Sequence, residues 1–215
     1  MKILTSSVEQ HPHLRARLMR ALRALRCFRG WTRLVNIVVP ASASGEFVAV
    51  NDGIAFSGNL RSFIDRYVYL FGNFEEQLIT LFLSIVPPGR RGIILDAGAN
   101  AGTHALQFAR AFEQVHAFEP NPALWAQFEK NVALNRLPNV TLHRVGLGDR
   151  AAQLPFYMTE KPNLGLGTFS NADQYDTPLI KSGSAPVVRG ADYLASQGIG
   201  PVDAIKIDVQ GFREA

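Results

Sequence analysis

The stretch Gly92-Ile93-Ile94-Leu95-Asp96-Ala97-Gly98 limits the fold of this chain more tightly than any other part of it. A short, unbroken apolar run closing on an acid and a glycine is the pattern of a strand buried on both faces of a parallel sheet. Gly102 follows after Asn100, and a helical pattern begins beyond it and is expected to run to about Phe112. The two glycines allow a sharp turn and a close approach of ligand to backbone. The start of the helix presents N–H groups and the positive end of a dipole, which suits an anion.

Downstream the same unit repeats. Residues 114–120, QVHAFEP, predict a second strand, and Asn121-Pro122 supplies the N-cap and first residue of a helix that turns Leu124, Phe128 and Val132 inward. Residues 139–148, NVTLHRVGLG, predict a third strand. Residues 150–185 are rich in Gly, Pro, Ser and Asn and read as an excursion from the sheet. A helix over Ala191–Gln197 then leads to a fourth strand in VDAIKIDVQG. Strands and helices alternating at this spacing predict an α/β fold with a doubly wound parallel sheet, its ligand lying at the carboxyl ends of the strands.

Upstream, residues 60–86 have helical spacing, with Phe63, Tyr67, Leu70, Phe71, Leu78, Leu81, Phe82 and Ile85 expected on one buried face and Pro87-Pro88-Gly89 ending the stretch. Residues 46–50 and 54–58 alternate around Asn51-Asp52-Gly53, a hairpin signal, and NIVVP at 36–40 reads as a further extended piece. Residues 13–29 predict an amphipathic helix with Leu14, Leu18, Leu22 and Leu25 on one face. That helix either lies on an anionic membrane surface or a partner, or packs its leucines on the body. Residues 1–33 hold Lys2 and seven arginines against Glu9 alone; the chain as a whole carries +4, so the remainder is net acidic. A net acidic body argues against a nucleic-acid partner, whose phosphates call for a positive stripe. The expected organisation is a basic helical leader at 1–33, a hairpin and helical subdomain at 34–88, and a ligand-binding core at 89–215. With one cysteine and no apolar run long enough to span a bilayer, a reducing, cytoplasmic setting is expected.

Glycine turns of this kind hold both dinucleotides and S-adenosylmethionine. Asp96, two residues before Gly98, suits a cationic amino group and would repel a pyrophosphate. Asn100 stands where a dinucleotide turn has its central glycine. Glu119 ends the second strand, at the spacing of an acid that accepts ribose hydroxyls. Together these favour S-adenosylmethionine over a nicotinamide cofactor, with a dehydrogenase as the weaker enzymatic rival. Asp208, at the end of the fourth strand, faces the same crevice as a candidate base or a helix cap, with Gln210 and Gly211 at the same rim. His104, just past the glycine turn, is the other candidate base. His116 and His143 fall inside strands and are expected to be satisfied structural residues. No cluster has metal-ligand spacing, and neither a nucleophile elbow nor a phosphate-binding P-loop is present.

These blocks resemble the FkbM family of S-adenosylmethionine-dependent methyltransferases. ILDAGANAGTHALQFA is similar to its first signature, AFEPNPALWAQFEKNVALNRLPNVTLHRVGLGD to its second, and AIKIDVQGF to its third; YLFGNFEEQ, with Gly72 and Glu75, resembles the segment before the core. The resemblance implies a Rossmann-like class I methyltransferase sheet. It also implies cofactor contacts at Asp96, Gly98, Asn100, Gly102 and Glu119, with Asp208 near the reacting methyl. Family members mostly methylate hydroxyl oxygens of sugars and secondary metabolites, without a metal in general, so a small-molecule or glycan acceptor is expected. Gln210 stands where the family usually has Glu, and Arg213 where an acid is common. The class I strand order continues beyond a fourth strand, so the last strands are expected to be missing, with the fourth strand left at an edge. The rivals from other classes are a non-catalytic fragment that binds the nucleoside and a protein held weakly at a membrane surface through residues 13–33.

Overall fold

The computed structural model describes residues 14–22, 30–40, 42–159, 167–169 and 179–209. Gln210, Gly211, Arg213 and Leu25 lie outside them.

Four strands build the central sheet: β3 (Ile93–Ala97), β4 (Gln114–Phe118), β5 (Val140–His143) and β10 (Ala204–Ile207). All pair in parallel, in the order β10-β3-β4-β5. Helices cover both faces. Ile94, Val115, Ala117 and Ala204 bury themselves with Phe108 of α5 (Thr103–Phe108) and Phe128 of α6 (Pro122–Asn135). On the other face Phe118 and His143 meet Tyr193 of α7 (Gly190–Ser196). The sheet is therefore doubly wound, as the strand–helix alternation predicts. The α6 start is also as expected: Asn121 caps it by accepting from Ala123 N at 3.0 Å, with Pro122 at the first position. The helix after the glycine turn is shorter than its pattern, ending at Phe108 in turns that reach residue 111.

The predicted third strand is two strands. β5 ends at His143; β6 (Gly146–Gly148) then joins a second sheet, ordered β6-β9-β7-β8, with β7 (Ala152–Thr159), β8 (Gly167–Thr168) and β9 (Leu179–Arg189). What the sequence suggests is an excursion is this sheet, and it supplies one wall of the site.

The N-terminal half contains α1 (Leu14–Ala21), α2 (Trp31–Val38), the hairpin β1 (Glu46–Asn51) and β2 (Ile54–Asn59), α3 (Phe63–Phe71) and α4 (Glu76–Ile85). Asp52 and Gly53 both take positive φ, 49° and 77°, as a two-residue hairpin turn with strand-matching twist requires. NIVVP is not extended: Asn36–Val38 continue α2, whose Trp31 and Val35 are buried. On α4 the buried side chain is Ile79; Leu78, Leu81 and Ile85, expected inside, are exposed. On α1 the leucines do not pack on the body either, since Ala16 and Met19 do so while Leu14, Leu18 and Leu22 face outward.

Three side chains of α6 fasten the hairpin to the core. Asn131, fully buried, accepts from Ser57 N at 2.7 Å and donates to Ala101 O at 2.9 Å. Asn135 accepts from Ala55 N and donates to Ala55 O, and Gln127 donates to Ser57 O. The outer edge of β2 is thereby paired instead of being left to other chains, and Asn131 ties it directly to the glycine turn.

Candidate active site

The carboxyl ends of β3, β4 and β10 share one cleft with α5 and the second sheet. Ala97, Gly98, Ala99 and Asn100 line it from the turn after β3, Glu119 and Asn121 from the loop after β4, and Lys206 and Asp208 from β10 and just beyond. Ile64 and Phe74 enter from the N-terminal half, Thr103 and His104 from α5, and Leu147, Phe156, Phe169 and Val187 from the second sheet. Phe169 belongs to the LGLGTFSN stretch whose composition suggests a rim. Of the residues singled out from sequence, Gly98, Asn100, Glu119, His104 and Asp208 line the cleft together.

The glycine turn keeps its own amides occupied. Gly98 N and Ala99 N donate to Phe118 O at 3.0 and 3.1 Å, Gly102 N to Ala99 O at 2.9 Å, Asn100 N to Glu119 Oε2 at 2.8 Å, and Ala101 N to Asn100 Oδ1 at 2.7 Å. An anion-binding turn leaves such groups open, so these five amides are not available to an anion. Glycine is required at 98: φ is +79°, and a Cβ there would lie 2.0 Å from Asp208 O. Gly102, at φ +91°, is the N-cap of α5 and packs on the Phe128 ring.

Glu119 is buried, and its second oxygen accepts from Asn121 N at 2.8 Å. Burial pushes its carboxyl up to about 7, against the two backbone donors that favour the charged form; Asp96 adds to the rise and Lys206 opposes it. Each oxygen keeps lone-pair capacity for a further donor from the cleft.

Asp96 is completely buried and lies behind the lining, on the same face of the sheet as Lys206, its register partner. The cation it meets belongs to this chain: Lys206 Nζ is 2.9 Å from Asp96 Oδ1. Lys206 Nζ also donates to Gly98 O at 3.0 Å and stands 3.9 Å from Asp208 Oδ2. Among the described residues neither Asp96 carboxylate oxygen has a hydrogen-bond partner, so Lys206 meets it as an ion pair. Asp208 is mostly in solvent, one residue beyond β10. Lys206 escaped sequence reasoning although its signal was present: it stands two residues before Asp208 in a strand, hence on the same face.

His104 is buried, with Nε2 3.2 Å from Glu75 Oε2. Burial, then the charge of Lys206, lowers its pKa; Asp96, Glu75 and Asp208 pull the other way. The ring is therefore neutral near pH 7. Glu75 holds a left-handed backbone, φ 51°, at the start of α4, a conformation costly for this residue type and common at functional sites. His116 and His143 are structural, as expected: His116 Nδ1 lies 3.0 Å from His143 Nε2, and His143 Nδ1 reaches Tyr193 Oη at 3.2 Å. Burial, with His116 adding to it, drives His143 down to about 4. Among the described residues no group of three or more His, Cys, Asp or Glu is placed to hold a metal ion.

Methyltransferase 1 of Beauveria bassiana (strain ARSEF 2860) is 29% identical over 153 residues, covering 64% of this chain and 61% of that protein. Methyltransferase sdnD of Sordaria araneosa is 31% identical over 147 residues, covering 55% of this chain and 56% of that protein. The chain thus spans about three-fifths of the length of the curated relatives it matches. Among solved structures, M. jannaschii TYW2 in complex with AdoMet matches 45% of this chain and 42% of its own, at 21% identity and a TM-score of 0.35, too low to bear on the fold. The methyltransferase FkbM domain matches residues 96–212. More than half of the sequence lies within that match, and the chain belongs to the FkbM methyltransferase-domain family.

Proposed function

We propose that this protein is an S-adenosylmethionine-dependent methyltransferase that transfers a methyl group to a hydroxyl oxygen of a small molecule or sugar. The observation that carries the cofactor is the glycine turn. Its amides at 98–102 are all engaged within the protein, so none of these five is open to a pyrophosphate, while Glu119 keeps acceptor capacity for ribose hydroxyls. The residues fit the group. Glu119 would hold the ribose, Gly98 and Asn100 would pass the nucleoside across bare backbone, and Leu124, Phe118 and Leu147 offer apolar contact for a base. Asp96 and Gly102 support this site from beneath, Asp96 through Lys206 and Gly102 by fixing the start of α5.

When bound, S-adenosylmethionine supplies a methyl group on a sulfonium, ready for in-line displacement. The task left to the protein is to hold an acceptor oxygen in line and to take its proton. His104 is the better candidate base. It is neutral and lines the cleft, with Nε2 3.2 Å from Glu75 Oε2; a proton kept on Nε2 by that carboxylate would leave Nδ1 as acceptor. Asp208 is the alternative, a carboxylate at the same rim with water and Lys206 beside it. The apolar side chains of the second sheet would exclude water from the acceptor. A reducing cytoplasmic setting accords with the single cysteine.

The test is titration calorimetry of the 215-residue chain with S-adenosylmethionine and with NAD, followed by transfer of labelled methyl to a panel of hydroxylated sugars and small metabolites. Saturable binding of the sulfonium and none of NAD is expected; the reverse would overturn the proposal. Binding without transfer to any acceptor would favour the non-catalytic reading. With an acceptor in hand, His104→Ala should abolish turnover while sparing cofactor affinity, and Asp208→Ala should not.

A further inference from the structure

We propose that the acceptor is an apolar alcohol or phenol, with one hydroxyl presented to His104 and a hydrocarbon body lying against the second sheet and the N-terminal half. The proposal rests on the S-adenosylmethionine reading above and narrows its acceptor from small molecules and sugars in general to this class. What carries it is the way polar and apolar side chains divide the cleft. Asn100, Thr103, His104, Glu119, Lys206 and Asp208 line it from the central sheet, its loops and α5. The other walls present no polar side chain among the described residues: Phe156, Phe169 and Val187 come from the second sheet, Ile64 and Phe74 from the N-terminal half.

Most of the polar side is already engaged within the protein. Glu119 accepts from two backbone amides, Asn100 Oδ1 accepts from Ala101 N, and Lys206 is held by Asp96 and by Gly98 O. The apolar walls are backed by packing. Phe156, 5% exposed, meets Phe169 edge-on with ring centroids 5.2 Å apart. Gly146, lacking a side chain, gives the Phe169 ring its seat, since a Cβ there would lie 3.3 Å from Phe169 Cε2. Phe74 packs beside His104, with 6.0 Å between ring centroids, and meets Tyr67 edge-on at 5.2 Å. Carbon therefore lies directly beside the candidate base, which leaves little for the neighbouring hydroxyls of a sugar to bond. A sugar placed there would bury several hydroxyls without partners, at a cost for each. A hydrocarbon body gains by leaving water, and its one hydroxyl meets the polar side. Transfer forms an O–CH3 bond at the acceptor as the S–CH3 bond breaks, leaves a neutral thioether, and passes the hydroxyl proton to His104.

Calorimetry on the full chain, in saturating S-adenosylhomocysteine, would compare n-butanol, n-hexanol and n-octanol with glucose and methyl glucoside. Affinity is expected to rise about three- to fourfold with each added methylene, as removing a methylene from water warrants, while neither sugar binds measurably. Transfer of labelled methyl from S-adenosylmethionine should follow the same order. Phe169→Ser should weaken n-octanol by about tenfold and n-butanol little, Phe169→Leu should restore the series, and both should bind S-adenosylmethionine like the wild type. A wild-type series that is flat with chain length, or sugars bound better than n-octanol, overturns the proposal without needing any variant; the cofactor reading survives that result as long as S-adenosylmethionine binds. A Phe169→Ser chain that keeps the full rise with chain length also overturns it, because the hydrocarbon body would then lie elsewhere. If the wild-type chain does not bind S-adenosylmethionine, the cofactor reading itself falls, and the proposal with it.

Discussion

Glu119 carries a pH dependence with a definite sign. Its carboxyl is raised from 4.5 to about 7, so the ligand-free fold holds that proton more firmly than the unfolded chain does. The stability of the free protein therefore falls as pH rises from about 4.5 to about 7 and is flat with respect to this group above that. Ligand binding runs the other way, because ribose hydroxyls donate to the ionised form. Affinity for S-adenosylmethionine should rise through about pH 7, and Glu119→Gln should bind more weakly and lose the slope; titrations between about pH 5.5 and 8.5 would check both. A slope that survives in the variant would place the titrating group elsewhere. Asp96, Gly98 and Glu119 were all legible in the sequence, because strand ends and glycine turns fix them at known offsets. The pairing of Lys206 with Asp96 was not, since it depends on which strand lies beside β3, and that neighbour, β10, is 110 residues away from it in register.

Elements were legible where one period dominated and illegible where their packing partner was unknown. The hairpin, α6 and the four parallel strands follow from alternation, capping and apolar runs. On α4 the spacing pointed to Leu78, Leu81 and Ile85, yet the helix buries Ile79 beside Phe108 and Phe112 instead. An almost wholly apolar helix has several candidate faces, and only tertiary contact selects one. Accordingly Ile79→Ala should cost about 2–5 kcal/mol, whereas Leu81→Gln should stay within about 0.5 kcal/mol, by denaturant unfolding. Equal costs would mean that the α4 face is mis-assigned. Asn131 makes a stronger case. Replacing it by Leu leaves Ser57 N and Ala101 O buried without partners, so a loss of about 2–5 kcal/mol is expected. Because Ala101 belongs to the glycine turn, the same variant should also weaken S-adenosylmethionine binding; unaltered affinity would mean that the hairpin does not steady the site.

At the scale of the whole molecule, basic residues are concentrated in the first 33 positions of the sequence, and α1 sets some of them beside exposed leucines. At 100° per residue, α1 turns Leu14 and Leu18 to one side, with Leu22 exposed just after it and Arg15 and Arg17 at the two margins, while Ala16 and Met19 hold the opposite side to the body. Arg20 locks that attachment by donating to Tyr69 O and Val50 O and lying over the Tyr69 ring. An apolar stripe flanked by arginines and facing away from the protein suits an anionic lipid interface, where the leucines enter the acyl boundary and the guanidiniums meet headgroups. No helix among the described residues is long and apolar enough to cross a membrane. Co-sedimentation should therefore be stronger with phosphatidylglycerol-containing vesicles than with neutral ones and should weaken with salt. Changing Leu14 and Leu18 together to Ser should reduce it by about tenfold or more, given the apolar area those side chains would bury. Because neither leucine is packed against the protein, the double variant should unfold at the wild-type temperature. A variant that sediments like the wild type would assign the stripe to a protein partner, and one that unfolds early would show that these leucines are buried in solution after all.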